Sequence, residues 1–300
     1  MILPDVVLAG APKCGTSSLF NWLDAHPDVC GARPKDTFFL NDADNAEFPA
    51  QHRALSFSET GLAGYEELFA HCGPGLRLEA SGSYLYQATA LAQIAAVPSR
   101  PKVIFLLRRP ADRVYSFYNF ARYNMETLPR STSFADYVAR LVEEADSPAQ
   151  ERTVAPAIIR SEYVRYLRRW FERIDPGRIL VRLFEDMRSD PLRFVEELSI
   201  QIGVDGAFYR GFDFRATNVT RRVPVPGLER AKWRIGARTP DRLKPLLRAP
   251  YRLMSARWDT PAPSQQDVEV LARLDGLFMP MNEELAALTG LGLHVWESRR

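Results

Sequence analysis

The sequence predicts an α/β protein, a central parallel sheet flanked by helices, and three observations carry that expectation. Residues 5–11 (Asp-Val-Val-Leu-Ala-Gly-Ala) and 102–107 (Lys-Val-Ile-Phe-Leu-Leu) are short, nearly unbroken apolar runs, the pattern of strands covered on both faces. Each run gives way within a few residues to helical spacing. The alternation then repeats, with strand-like 77–79 before helical 88–96 and strand-like 179–184 before helical 190–202. Strands that alternate with helices imply parallel pairing through crossover connections.

Taken in order, the first run stops at a loop, Ala11-Pro12-Lys13-Cys14-Gly15. A helix follows whose apolar stripe is Leu19, Phe20, Trp22 and Leu23. It ends near His26-Pro27, because proline cannot continue it. After the 102–107 strand, Arg108-Arg109-Pro110 leads into a helix over residues 111–123. Residues 134–144 and 158–174 read as amphipathic helices. A last helix, about 265–288, is expected to pack on the sheet through Leu271, Leu274, Phe278, Leu285 and Leu288. The Arg- and Pro-rich stretch near 215–263 is expected to be irregular. No linker, repeat or low-complexity tract divides the chain, so one domain over residues 1–300 is expected.

Composition narrows the classes. With 46% hydrophobic and 25% charged residues in 300, the chain can bury a sizeable core. A formal charge of +2, from 39 basic against 37 acidic residues, lacks the broad positive surface of a nucleic-acid binder. Any anion site must be local. The three cysteines, Cys14, Cys30 and Cys72, are odd in number and lack CxxC spacing, which speaks against a disulfide framework or a zinc site. A reducing cytoplasm is therefore expected, with no signal peptide and no membrane span. The sequence leaves the oligomeric state open.

The loop is the first site candidate. A glycine-bearing turn between a strand and a helix aims backbone N–H groups and the helix dipole at an anion. Gly10-Ala11-Pro12-Lys13-Cys14-Gly15-Thr16-Ser17 has that context but breaks the Walker A pattern, since Thr16 follows the glycine and the lysine comes earlier. In a nucleoside triphosphatase a lysine after the glycine reaches the terminal phosphates and the next hydroxyl holds magnesium. A lysine two residues before the glycine can instead stabilise charge on a departing phosphate oxygen, with no metal demanded.

Pro12-Lys13-Cys14-Gly15-Thr16-Ser17-Ser18-Leu19, followed by His26-Pro27, resembles the 5'-phosphosulfate loop of sulfotransferases, most closely the bacterial and heparan sulfate type. The resemblance implies a P-loop-like fold and 3'-phosphoadenosine 5'-phosphosulfate as donor, held at its 5' end by Lys13, Cys14, Gly15, Thr16, Ser17 and Ser18. It further implies that Arg108 and Ser116 bind the 3'-phosphate. They stand in Leu107-Arg108-Arg109-Pro110-Ala111-Asp112-Arg113-Val114-Tyr115-Ser116-Phe117-Tyr118, which is similar to the family segment except that Arg109 replaces an asparagine.

Sulfuryl transfer needs a base for the acceptor's proton. Glu79-Ala80-Ser81-Gly82-Ser83-Tyr84 is similar to the family's Glu-Lys-Ser/Thr-x-x-Tyr, with Ala80 in place of lysine, so the resemblance makes Glu79 the base. His71 is the competing candidate. Arg33-Pro34-Lys35-Asp36-Thr37-Phe38-Phe39 resembles an acceptor-side stretch, which offers Lys35. Ser161-Glu162-Tyr163, Trp170 and Asp186 match later positions, where the aromatics mostly pack. Arg221 and Arg222 resemble a basic loop that closes over the donor. The expected reaction is in-line attack on sulfur, with Glu79 and Lys13 as catalytic groups, on an acceptor that is a glycan or small molecule. A P-loop nucleotide phosphotransferase and an inactive nucleotide- or glycan-binding module are the alternatives.

Overall fold

The computed structural model describes residues 2–43, 55–145, 156–216 and 262–297. Five strands, β1 (Val6–Gly10), β2 (Val29–Gly31), β3 (Leu76–Ala80), β4 (Lys102–Leu107) and β5 (Ile179–Leu183), form one sheet in the order β2-β3-β1-β4-β5. All neighbours pair in parallel. The helices in chain order are α1 (Thr16–Asp24), α2 (Phe57–Thr60), α3 (Ala63–Leu68), α4 (Ala88–Ala96), α5 (Pro110–Phe120), α6 (Phe134–Ala145), α7 (Pro156–Ile159), α8 (Tyr163–Arg173), α9 (Phe184–Ser189), α10 (Pro191–Ile202), α11 (Gln265–Thr289) and α12 (His294–Glu297). Among the described residues, no helix is long and apolar enough to cross a membrane.

The chain forms two compact units. The sheet unit comprises residues 1–109, 163–218 and 281–299, and the helical unit residues 110–162, 219–280 and 300. Within the sheet unit, side chains alternate across the sheet with the period of two that extended backbone imposes. Val7, Ala9, Val103 and Phe105 share a core with Leu91, Ile94, Leu167 and Trp170, which places α4 and α8 on that face. Val6, Leu8, Ile104 and Leu106 share the other with Leu19, Leu23, Val195 and Leu198 of α1 and α10. Both faces are covered, which is why β1 and β4 read as unbroken apolar runs. The helical unit has its own core of Val114, Tyr118, Phe134, Leu141, Ile158, Leu271, Leu274 and Phe278.

Several expectations need correcting. The sheet has a fifth strand, β2, too short at three residues to leave a pattern. The helix expected over 158–174 is two, α7 and α8, separated at Arg160–Glu162. There Ser161 turns its hydroxyl back onto the Ala157 carbonyl (2.7 Å) while accepting from buried Arg113 (2.8 Å). The last helix does not lie on the sheet along its length: Leu271, Leu274 and Phe278 belong to the helical unit's core and only its Leu285 end to the sheet unit's. Cys30 and Cys72, expected as free thiols, form a disulfide across 42 residues. The sequence count missed it because the third cysteine, Cys14, is buried elsewhere and takes no part in the disulfide. Most of the 215–263 stretch lies outside the described residues.

Candidate active site

The glycine loop sits at the carboxyl end of the central strand, where open α/β sheets place their ligands. β1 is buried throughout and feeds into the loop, and α1 starts at Thr16 with Gly15 as its N-cap. No side chain caps that helix end and its first turn carries no acidic residue, so its leading N–H groups present a positive end. Gly15 has φ 90°, a left-handed conformation that favours glycine. A Cβ there would meet the Phe184 ring at 2.7 Å and Met187 Cε at 2.8 Å. The loop therefore lies hard against the start of α9. Lys13 also takes a left-handed φ of 70°, a conformation that costs a non-glycine residue of order 1–3 kcal/mol and is found where surroundings enforce it.

Phe184 links the loop to the second predicted anion group. The Arg108 guanidinium stacks over the Phe184 ring, 4.9 Å from its centroid, while Arg108 Nε is buried with no hydrogen-bond partner. Tyr163 makes a parallel connection. Its hydroxyl donates to the Arg108 carbonyl (2.8 Å) and contacts Cys14 Sγ (3.5 Å). Glu185 adds a third clamp by accepting from the Arg109 amide (3.0 Å) and from the Trp296 indole N–H (2.9 Å). Loop and β4 terminus are thus joined through Tyr163 and Phe184, while Glu185 ties the β4 terminus to Trp296 of α12; the sequence marked none of the three as site residues.

Glu79, on β3 opposite Val7 of β1, is fully buried. The turn after it closes on the loop, for a Cβ at Gly82 would touch the Pro12 nitrogen at 3.5 Å. Thr37 Oγ1 and Ser81 Oγ donate to Glu79 Oε1 at 2.7 and 3.0 Å, whereas Oε2 is buried and unpartnered. Removal from water pushes the Glu79 carboxyl up from 4.5 to about 7, against the lowering pull of hydrogen bonds from Thr37, Tyr84 and Ser81. Tyr84 completes the surround by placing its hydroxyl 3.1 Å from Thr37 Oγ1 and accepting from the Leu40 amide. The result is a carboxyl that exchanges its proton near neutrality, with one oxygen fixed and one free.

Two other candidates, His71 and Lys35, make their contacts away from the loop. His71 approaches the Gly31 carbonyl (3.2 Å) and the two disulfide sulfurs, not the loop. Lys35 pairs with Asp36 at 2.7 Å and lies over the Phe20 ring. Ser116 is a partly exposed residue of α5, in the helical unit. Arg221 and Arg222 lie outside the described residues. Arg113 is buried and tied to the Ala157 carbonyl and Ser161, which makes it a strut of the helical unit.

A parallel sheet with a glycine-bearing loop at the carboxyl end of its central strand and a neutral-range carboxyl near that loop has a P-loop-like build. A family model described as the sulfotransferase domain matches residues 3–205, and the chain belongs to that family. The bifunctional heparan sulfate N-deacetylase/N-sulfotransferase 2 of Bos taurus is 24% identical over 205 residues, which cover 67% of this chain and 22% of that one. The human enzyme 1 of the same description is 24% identical over 206 residues with the same shares. The chain thus spans about a fifth of the length of these relatives. A sulfotransferase from Alicyclobacillus acidocaldarius shares the fold with a TM-score of 0.66 at 20% identity, over 99% of this chain and 100% of that one.

Proposed function

We propose that the chain is a sulfotransferase that moves the sulfuryl group of 3'-phosphoadenosine 5'-phosphosulfate onto a hydroxyl or amine of a sugar, lipid or secondary metabolite, with Glu79 as base and Lys13 on the leaving oxygen. In this reading the amides of Gly15 to Ser17, with Cys14 and the hydroxyls of Thr16 and Ser18 around them, hold the 5'-phosphate. Arg108 and Ser116 take the 3'-phosphate, and Arg221 and Arg222 close over the donor. The acceptor attacks sulfur in line as Glu79 Oε2 removes its proton, and the bond to the bridging oxygen breaks beside Lys13. The observation that carries the reading is the buried Glu79 carboxyl on β3, titrating at about 7 with one oxygen unpartnered, just before a turn that touches the phosphate loop. That the matched relatives are named N-sulfotransferases of heparan sulfate supports a glycan amine as one acceptor class. A cytoplasmic setting belongs to the same proposal and requires the Cys30–Cys72 pair to stand largely reduced there.

Calorimetric titration with 3'-phosphoadenosine 5'-phosphate, beside ADP and Mg-ATP, tests the donor assignment. Hydrogen bonds to charged groups contribute roughly 1.5–3 kcal/mol, so Arg108→Ala and Lys13→Ala should each weaken binding about 10- to 150-fold. Unchanged affinity in both variants removes the two-ended donor site, and a preference for Mg-ATP favours a phosphotransferase.

A further inference from the structure

Cys30, His71 and Cys72 form a cluster on the edge of the sheet that the transfer reaction does not use. Cys30 is the middle residue of edge strand β2, while His71 and Cys72 follow the end of α3. The imidazole Nε2 lies 3.6 Å from Cys30 Sγ and 3.7 Å from Cys72 Sγ. All three potential ligand atoms fall within 4.8 Å of one another. His71 is exposed and both cysteines are partly exposed, so reductants and ions reach them. The next residue, Gly73, has nothing within 4 Å of where a Cβ would stand.

We propose that these three side chains are a redox-gated site for one thiophilic cation of the zinc class: closed as the disulfide, open to metal as the dithiol. The geometry carries this. With Zn–S near 2.3 Å and Zn–N near 2.0–2.1 Å, tetrahedral ligands stand about 3.6 Å apart for N···S and about 3.8 Å for S···S. The two imidazole–sulfur distances, 3.6 and 3.7 Å, are already close to the first value. Only the sulfur pair must separate, and with the Cα atoms 5.8 Å apart, rotation of the two cysteine side chains achieves that without moving the backbone.

The steps balance. A dithiol reductant gives two electrons and two protons to the Cys30–Cys72 bond, forming two thiols and its own disulfide. Binding of Zn²⁺ then releases both thiol protons as the thiolates coordinate. The imidazole contributes neutral Nε2, giving up its contact with the Gly31 carbonyl (3.2 Å) and carrying its proton on Nδ1. Two thiolates and an imidazole suit zinc, and the exposed side leaves the fourth position to water.

This site is independent of the sulfotransferase reading and is tested without turnover. The whole protein is reduced, freed of metal and titrated anaerobically with Co²⁺, then with Zn²⁺ against a chromophoric chelator. One equivalent of cobalt with thiolate-to-metal charge transfer and tetrahedral d–d bands is expected in the reduced protein, and none after oxidation. His71→Ala leaves both cysteines and the disulfide in place. Loss of outer-shell partners alone costs metal sites about 10- to 100-fold, so loss of this ligand should weaken zinc binding by at least about tenfold. Equal uptake by oxidised and reduced protein, no tetrahedral signal on reduction, or unchanged zinc affinity in His71→Ala would each overturn the proposal.

Discussion

Replacing Glu79 by glutamine separates the charge of the buried carboxyl from its shape. In the unfolded chain a glutamate ionises at about 4.5, in the fold at about 7. Between these values the folded protein keeps a proton that the unfolded chain has lost, so stability falls as pH rises, by about 1.4 kcal/mol per pH unit. The whole interval amounts to about 3 kcal/mol, fully present below pH 4.5 and lost once pH has risen through 7. Glutamine keeps an oxygen for Thr37 and Ser81 and does not titrate. Urea unfolding of both proteins from pH 5 to 8 should therefore show a decline in the wild type that the variant lacks, leaving Glu79→Gln the more stable above pH 7. Turnover should move the opposite way: the wild-type rate rises through about pH 7, and the variant loses about 10²–10⁴-fold with donor binding intact. Parallel stability curves would refute a buried, titrating Glu79, and full turnover in the variant would refute its role as base.

The positions around the site give further tests. Thr37→Val removes a hydrogen bond that lowers the Glu79 pKa, so the pH–rate profile should move to higher pH while donor affinity stays constant. Gly15→Ala puts a Cβ into the Phe184 ring at a left-handed φ, and should abolish measurable binding of 3'-phosphoadenosine 5'-phosphate with a large loss of thermal stability. Tyr163→Phe leaves the Arg108 carbonyl and Cys14 without the hydroxyl, and should cost about 1 kcal/mol in urea unfolding and weaken calorimetric donor binding several-fold.

What could be read in the sequence was local. The strand–loop–helix at residues 6–24 and the strand at 102–107 followed from apolar runs and loop chemistry, and both match the fold to within a residue or two. Glu79 was legible only through resemblance, because an isolated glutamate in Leu-Glu-Ala has no pattern that announces burial. Of the residues that set its environment, Ser81 and Tyr84 are near in sequence, but Thr37 comes from 42 positions away and also brings Tyr84 into the same hydrogen-bonded group. Phe184 and Glu185 were hidden for a similar reason. Phe184 closes the run read as a strand over 179–184 and Glu185 follows it with no pattern of its own; they become a platform and a clamp only when β5 lies beside β4. His26 shows the converse: a motif residue that accepts from the Asp28 amide on Nδ1 and so offers an Nε2–H to the Asp205 carbonyl, a structural strut at the end of α1.

The neutral-range carboxyl is the outcome of two opposed effects, and their sizes decide how the site is built. Full burial alone disfavours the charged form by up to 3–5 pH units. A base left there would stay protonated under ordinary conditions and accept nothing. Hydroxyls from Thr37, Tyr84 and Ser81 pull the value back to about 7, and the direct donors, Thr37 and Ser81, gather on Oε1 rather than spreading over both oxygens. Orientation and tuning therefore come from the same atoms, and Oε2 is left without a hydrogen-bond partner, as the proposed role of base requires. Thr37 can do this only because its own segment is held to β3: the Asp36 amide donates to the Ala80 carbonyl and the Phe38 amide to Ser81 Oγ. Asp36 and Phe38 adopt left-handed φ of 55° and 53° on either side of Thr37. Backbone strain thus flanks the Thr37 side chain that donates to Glu79, so the conformation of residues 36–38 is held by the surrounding structure rather than by their own preferences.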